Sequence, residues 1–436
     1  MIAPARHAAF RILLQLAATH AHSDDLLRTP EVDALSVQDR NLTTTLVLGT
    51  LRWQLALDAA IRPLLARPNA KLSPEAAASL CMGAYQLLHL DRIPAHAVIH
   101  DSVELIKHGP ERGAAGMVNA VLRKIVPGAE HHLQTPALAH PGWMVERWTR
   151  RYGADAAEAI CRWDQEPAAT ALRIDANAGL SGLETEPGAF LSRALRVVRG
   201  DAAAAVRAGQ ARIQDEASQL VAEIAAAPRS GETRVAKVLD ACAAPGGKTA
   251  ILLERFPHAQ ITAIDVSRNR LDAMLRLLGP VGQRLNVEVA DAARLELRPE
   301  WDRILCDVPC SGTGTMARNP EIRLRLTEAD LQRQRTRQIA ILRAALAGLA
   351  PGGRLVYCTC SLEPEENEDV ITAVLREAPA FRMVPISGIL DHLVAAGLLT
   401  AEGRQLLRSA ATSSFLRTIP GVHPCDGFFA AVLEAR

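Results

Sequence analysis

Aromatic residues make up only 3% of this 436-residue sequence. Its cores must therefore rest on leucine, valine, isoleucine and alanine, and any stacking on nucleic-acid bases falls to few rings. Long apolar runs are missing too: no stretch reaches the roughly 18 apolar residues that a membrane span needs. Arg11 interrupts the apolar run that follows Arg6, which argues against a signal peptide, so the expected location is the cytoplasm. Eight cysteines are too sparse for a secreted disulfide scaffold. Charge of one sign is lacking as well. With 49 basic and 48 acidic side chains the net charge is +1, which excludes a uniformly basic coat but not a local basic patch. What is present, 49% hydrophobic and 22% charged residues, is ordinary globular composition, and the length suits about three domains.

The first 130 or so residues read as an all-α bundle. Leu42, Leu46, Gly49, Trp53 and Leu57 recur at helical spacing. Ser73-Pro74 supplies an N-cap and a first-turn proline, and Ala77, Leu80, Ala84, Leu87 and Leu88 form the face that follows. Ile93-Pro94 breaks that helix, and Val98, Ser102, Leu105 and Ile106 belong to the next. Met117, Val121 and Ile125 mark a last one before Pro127-Gly128. Residues 131–165 read as a connector with one amphipathic helix, including Trp143, Trp148 and Trp163. Residues 166–232 read as a small α+β subdomain packed on the catalytic one, with a strand at Thr170–Ile174 and a helix after Ile213.

From 233 to 436 strand and helix alternate, which predicts a doubly wound, mostly parallel, Rossmann-like α/β sheet. The expected strands are Val235–Ala241, Ile261–Asp265, Leu285–Val289, Asp302–Asp307, Arg354–Cys358 and Gly427–Leu433. Ligands of such sheets sit at the carboxyl ends of the strands. The loop Cys242-Ala243-Ala244-Pro245-Gly246-Gly247-Lys248 lies there, between the first strand and its helix. Cys242 occupies the place where a P-loop needs glycine, and G-x-G-x-x-G is absent, so the loop suits a nucleoside without a phosphate cradle. Asp265 ends the next strand, where an acid accepts ribose hydroxyls. Asp291 is placed to meet an adenine edge, and Asp307 faces the reacting centre. Each acid alone could equally be a turn or helix cap. S-adenosylmethionine fits the set: it has adenosine to grip, no pyrophosphate, and a sulfonium that tolerates carboxylates.

Two further strand ends carry thiols, in Cys306-Asp307-Val308-Pro309-Cys310-Ser311-Gly312 and in Tyr357-Cys358-Thr359-Cys360-Ser361. Such a pair suggests that one thiol attacks while another assists. Zinc binding is the alternative, although the C-x-C arm is tight for it. Cys81 and Cys161 read as core residues. The arginines at 318, 323, 325, 333, 335, 337 and 343 follow the Cys310 loop closely and predict an RNA-contacting patch, against the alternative of a solvated helix face.

Asp39-Arg40-Asn41, Gly83-Ala84-Tyr85-Gln86-Leu87-Leu88, Arg92-Ile93-Pro94-Ala95-His96-Ala97 and Val118-Asn119-Ala120-Val121-Leu122-Arg123 resemble the NusB family of RNA-binding bundles. From Ile213 onward the chain resembles the bacterial rRNA cytosine-C5 methyltransferases of the NOP2/Sun family. The matching motifs are Asp240–Thr249, Asp307–Gly314, Tyr357–Ser361 and Asp426–Phe429. Val308 departs from the family's usual alanine, a change expected to be silent.

The resemblance implies a class I S-adenosylmethionine-dependent methyltransferase acting on C5 of a specific cytosine of 16S rRNA, in the free RNA or an assembly particle. It implies Cys360 as nucleophile at C6, Cys310 in release of the covalent product, and Asp307 on the cytosine N3/N4 edge, with Lys248 orienting Asp307 or the base. Residues 242–248, Asp265, Asp291 and Asp307 would hold the cofactor. A monomer without a metal is expected. A tRNA cytosine-C5 methyltransferase and a non-catalytic RNA-binding factor are the competing readings.

Overall fold

The computed structural model describes residues 2–19, 21–125, 135–174, 180, 182–229, 231–232, 234–411 and 414–435. The expected helix stop at Pro127-Gly128 and residues 131–134 of the expected connector lie outside them. The chain forms two compact units, Met1–Pro167 with Met316–Arg325, and Ala168–Thr315 with Leu326–Arg436. These cut across the four expected segments. Residues 135–165 group with the front bundle, 168–232 with the catalytic sheet, and 316–325 leave the catalytic segment for the helical unit.

In the helical unit, helix Val37–Ile61 begins on Ser36, whose side chain accepts the Asp39 N–H at 3.1 Å. Helix Pro74–His89 opens as expected on Ser73, which accepts the Ala76 N–H. A β-carbon on Gly49 would come within 2.0 Å of the Tyr85 ring, so glycine permits these two helices to approach. Helices Pro4–Ala18, Ala95–Lys107 and Ala115–Leu122 pack around the same core, which includes Leu46, Leu57, Leu80, Met82 and Ile106. Ile125 falls outside the last of them. The single helix expected at 131–165 is two, Gly142–Tyr152 and Ala154–Trp163, because Gly153 between them takes φ 88°.

The segment Met316–Arg325 overturns part of the expected arginine patch. Arg323 is 2% exposed and donates to the carbonyls of Arg52, Ala139 and Asp164 at 3.0, 3.3 and 3.2 Å. Arg325 donates to Leu16 and Ala21 carbonyls, each at 2.7 Å, while Glu321 accepts the N–H and hydroxyl of Ser23. Both guanidiniums satisfy backbone acceptors inside the unit, and buried Arg323 is not available to phosphate. Arg333 pairs with Asp330 and Arg343 with Glu377, so the seven arginines are not one basic face.

The second unit holds two sheets. The smaller is antiparallel, in the order β2-β3-β1-β4, from β1 (Ala171–Ile174), β2 (Glu184–Pro187), β3 (Ala194–Arg199) and β4 (Ala211–Ile213). Buried Arg173 of β1 pairs with Glu223 and Glu254, on helices Glu216–Ala226 and Gly247–Arg255, which fastens this sheet to the larger layer. Helix Glu216–Ala226 starts on Asp215, whose carboxylate accepts the Ala217 N–H.

The larger sheet comprises β5 (Lys237–Asp240), β6 (Gln260–Asp265), β7 (Leu285–Val289), β8 (Trp301–Asp307), β9 (Leu349–Thr359), β10 (Phe381–Val384), β11 (Phe415–Arg417) and β12 (Phe429–Ala435). Its order is β7-β6-β5-β8-β9-β12-β10, with β11 also paired to β12. The run from β7 to β9 is parallel; β12 pairs antiparallel with β9, β10 and β11. Both faces are covered. Val238, Leu305, Val356 and Cys358 enter one core, while Leu239, Ile304, Leu355 and Tyr357 enter the other. That is why residues 304–306 of β8 and 355–358 of β9 are unbroken apolar stretches. Among the described residues, no helix is long and apolar enough to cross a membrane.

Candidate active site

Strand order reverses around β5, which has β6 on one side and β8 on the other, so the crevice at a topological switch opens at its carboxyl end. The predicted site residues cluster on that edge. Asp240 ends β5, Asp265 ends β6, Asp291 follows β7, Asp307 ends β8 and Cys360 follows β9.

Cys310 and Cys360 are free thiols with their sulfurs 3.4 Å apart. The contact with Cys360, reinforced by burial and by the charge of Glu366, pushes the Cys310 thiol well above its ordinary pKa. That shift favours the Cys310 thiol over its thiolate. Cys306 and Cys358 belong to the two cores, and burial raises both thiols. No three His, Cys, Asp or Glu side chains converge on a metal-sized site among the described residues.

Lys248 and Asp307 form a 2.6 Å ion pair. Burial works against the Lys248 ammonium, but Asp307, Cys358 and Cys360 outweigh it, so the net shift is upward and the lysine stays charged. Its Nζ also lies 4.9 Å from the centre of the Phe428 ring, a further favourable contact for a cation. The other Asp307 oxygen accepts from the Cys358 thiol at 3.4 Å. Two groups thus fix the carboxylate.

The loop from Cys242 to Lys248 runs into helix Gly247–Arg255 through Gly246, at φ 103°. A β-carbon on Gly246 would meet Met274 at 2.4 Å. Ala243, Ala244 and Gly246 are buried, Cys242 and Gly247 partly so, and Pro245 is exposed. Burial, with Asp240, Asp307 and Asp265 nearby, pushes the Cys242 thiol up. Asp240 is pushed up to about 7 by burial. One of its oxygens accepts from Thr249 at 2.8 Å, and the other, though buried, has no partner among the described residues. Buried Asp265 accepts the Ser267 N–H at 3.0 Å and pairs with Arg270 at 3.1 Å. Asp291 caps the short turn Ala292–Arg294 through the Ala293 N–H. An unpartnered acceptor, strand-end acids and a glycine-lined loop fit a ligand that presents hydroxyls, an amine and a positive centre rather than phosphate.

Two residues escaped the reading of the sequence. Arg270 links the loop after β5 to the end of β6, donating to the Ala244 carbonyl at 2.7 Å while it pairs with Asp265. A positive charge five residues beyond a strand-end acid was the available signal. Glu366 accepts the Ser311 N–H at 2.8 Å and the hydroxyls of Ser311 and Ser361, the residues that follow the two thiols. In sequence it is hidden in the acidic run Glu363–Glu368, which reads as solvated surface.

Comparison with known proteins identifies the family and the fold. Residues 223–434 match the family described as 16S rRNA methyltransferase RsmB/F, residues 3–127 the NusB family, and residues 140–179 the RsmF/B-like ferredoxin-like domain. "Probable ribosomal RNA small subunit methyltransferase B" of Bacillus subtilis is 34% identical, over 97% of this chain and 97% of that protein. Ribosomal RNA small subunit methyltransferase B of Pseudomonas syringae pv. tomato is also 34% identical, over 92% of this chain and 93% of its own. The crystal structure of PH0851 shares the fold, with a TM-score of 0.78 at 23% identity over 100% of this chain and 99% of that one. That of NSun6 from Pyrococcus horikoshii with SFG covers 68% of this chain and 98% of that one, with a TM-score of 0.53 at 19% identity. A NusB region at the front, a methyltransferase sheet behind it and matches along nearly the whole length make this chain a member of the ribosomal RNA small subunit methyltransferase B family.

Proposed function

We propose that the chain transfers a methyl group from S-adenosylmethionine to C5 of one cytosine of 16S rRNA, position 967 in standard numbering, through a covalent bond between Cys360 and C6. The observation that carries this reading is the pair of free thiols 3.4 Å apart at the ends of adjacent parallel strands. C5 of cytosine is a poor nucleophile. Addition of the Cys360 thiolate at C6 pushes an electron pair into the ring and makes C5 enamine-like. Asp307 meets the N3/N4 edge and stabilises the charge that develops there. Its ion pair with Lys248 supports an orienting role for the lysine. Bound S-adenosylmethionine supplies an electrophilic methyl group on a cationic sulfur. C5 takes that methyl group as the methyl–sulfur bond breaks and a neutral thioether departs. The C5 proton is then lost to solvent with Cys310 assisting, the C6–sulfur bond breaks, and Cys360 returns as the thiolate.

Residues 242–248 with Asp265, Asp291 and Asp307 hold the cofactor. Residues 1–130 hold the RNA and residues 233–436 carry the chemistry, with the 166–232 subdomain beside them. The partner is 16S rRNA, free or in an assembling particle, and the target base is unpaired or flipped to reach the thiols. The protein works as a cytoplasmic monomer. Bisulfite sequencing of RNA from a strain lacking the protein tests the reading. One cytosine of 16S rRNA should lose its protection. Unchanged 16S rRNA with an unprotected tRNA cytosine would assign the activity to tRNA instead.

A further inference from the structure

Glu366 sits on the short turn Pro364–Glu366 that follows β9 and is fully buried. A carboxylate offers about four acceptor positions. Here all four are used. One oxygen accepts the Ser311 N–H at 2.8 Å and the Gln338 amide at 3.0 Å; the other accepts the hydroxyls of Ser311 and Ser361. Gln338 also donates to the carbonyl of Pro309 at 2.9 Å, and the Tyr357 hydroxyl donates to the carbonyl of Glu366 at 2.6 Å. The turn is thereby fixed: its carboxylate is bonded directly to the residue after Cys310 and to the residue after Cys360, and it reaches the residue before Cys310 only through Gln338.

Burying a carboxylate is costly, and burial does raise the pKa of this one despite its donors. A group with no role beyond filling space would be cheaper as an apolar side chain. We infer that Glu366 is a positioning residue that holds the Cys310 loop against Cys360 and so sets the separation of the two sulfurs. The inference rests on the reading that Cys310 acts on the adduct formed by Cys360.

The two loops depend on it unequally. The Cys360 loop keeps other ties: Thr359 donates to Asn367, the Asn367 amide to the Ser361 carbonyl, and the Gly314 N–H to the Cys360 carbonyl. Ser311 has both its N–H and its hydroxyl bound to Glu366. Loss of the carboxylate therefore frees Cys310 far more than Cys360. A misplacement of about 1 Å at a reacting group costs on the order of 100-fold. The step in which Cys310 acts should suffer, and the attack by Cys360 should be largely spared.

Two readouts on the full-length protein test this. The first is capture of the dithiol by phenylarsine oxide, which bridges two close sulfurs with loss of water; Cys310→Ala and Cys360→Ala define the signal. Glu366→Ala should weaken capture by roughly tenfold or more, and Glu366→Gln, which keeps the shape, should restore part of it. The second is the fate of labelled 16S RNA. Glu366→Ala should transfer methyl in a single turnover yet accumulate a denaturant-stable protein–RNA adduct. Should Glu366→Ala fail to fold, Glu366→Gln is expected to show the same two changes, smaller. Wild-type arsenical capture in the folded variants would overturn the inference, as would equal slowing of transfer and release. An absence of adduct in Cys310→Ala itself would instead refute the underlying cysteine roles, and arsenical capture would still decide the positioning of the sulfurs.

Discussion

Residues 307–315 and 316–325 are consecutive, yet they belong to different worlds. The first stretch is a strand-end turn whose polar groups meet at the candidate site: Asp307 on Lys248, Cys310 on Cys360, Ser311 on Glu366. The second is part of the helical unit, where Glu321, Arg323 and Arg325 satisfy backbone groups. Polar groups in the first stretch converge on other side chains of the candidate site; charge in the second satisfies backbone groups. Nearness in sequence to a reactive loop is therefore no guide to what an arginine touches.

Arg323→Ala should have the largest effect on the architectural side. It leaves three buried carbonyls without their donor and opens a cavity, so the loss of stability should be about 3 kcal/mol. Thermal unfolding reads this, while affinity for S-adenosylmethionine, measured on folded protein, should hold. Unchanged unfolding would mean that segment 316–325 does not anchor the unit. Asp265→Ala should do the reverse. Affinity for S-adenosylmethionine should fall by about 2 kcal/mol in calorimetric titration, with little change in melting temperature. Equal binding would remove Asp265 from the site.

The smallest effect concerns pH. His89, stacked on Trp53 and Tyr85 in the helical unit, is lowered to about 4 by burial. Its folded pKa lies below the unfolded value of about 6.5. The stability it contributes is therefore present above pH 6.5 and is lost as pH falls toward 4. Because the ring is partly solvated, the change should be about 1 kcal/mol. Urea midpoints of wild type and His89→Gln between pH 4 and 8 should converge at the acid end. A constant gap would show that His89 does not titrate with folding.

Much of the candidate site's strand-end placement was legible because strand ends advertise themselves. A covered parallel strand is an unbroken apolar run, and the polar residue that stops it is at the ligand edge; Asp265, Asp307 and Cys360 were found in that way. The antiparallel flank was less legible. Phe381–Val384 and Phe415–Arg417 are short, and only pairing with β12 makes them strands. Gly153 hid a break inside one amphipathic pattern. Arg323 and Glu366 were illegible for a shared reason: a buried charge and a solvated one look alike until the groups they bond are known.

The central claim is that Cys360 and Cys310 act at successive steps of one covalent cycle, and a denaturing gel with labelled 16S RNA and S-adenosylmethionine tests it most directly. Cys360→Ala should give neither methyl transfer nor adduct, whereas Cys310→Ala should transfer methyl and then stall as a stable protein–RNA complex. An adduct from Cys360→Ala but not from Cys310→Ala would contradict the assignment.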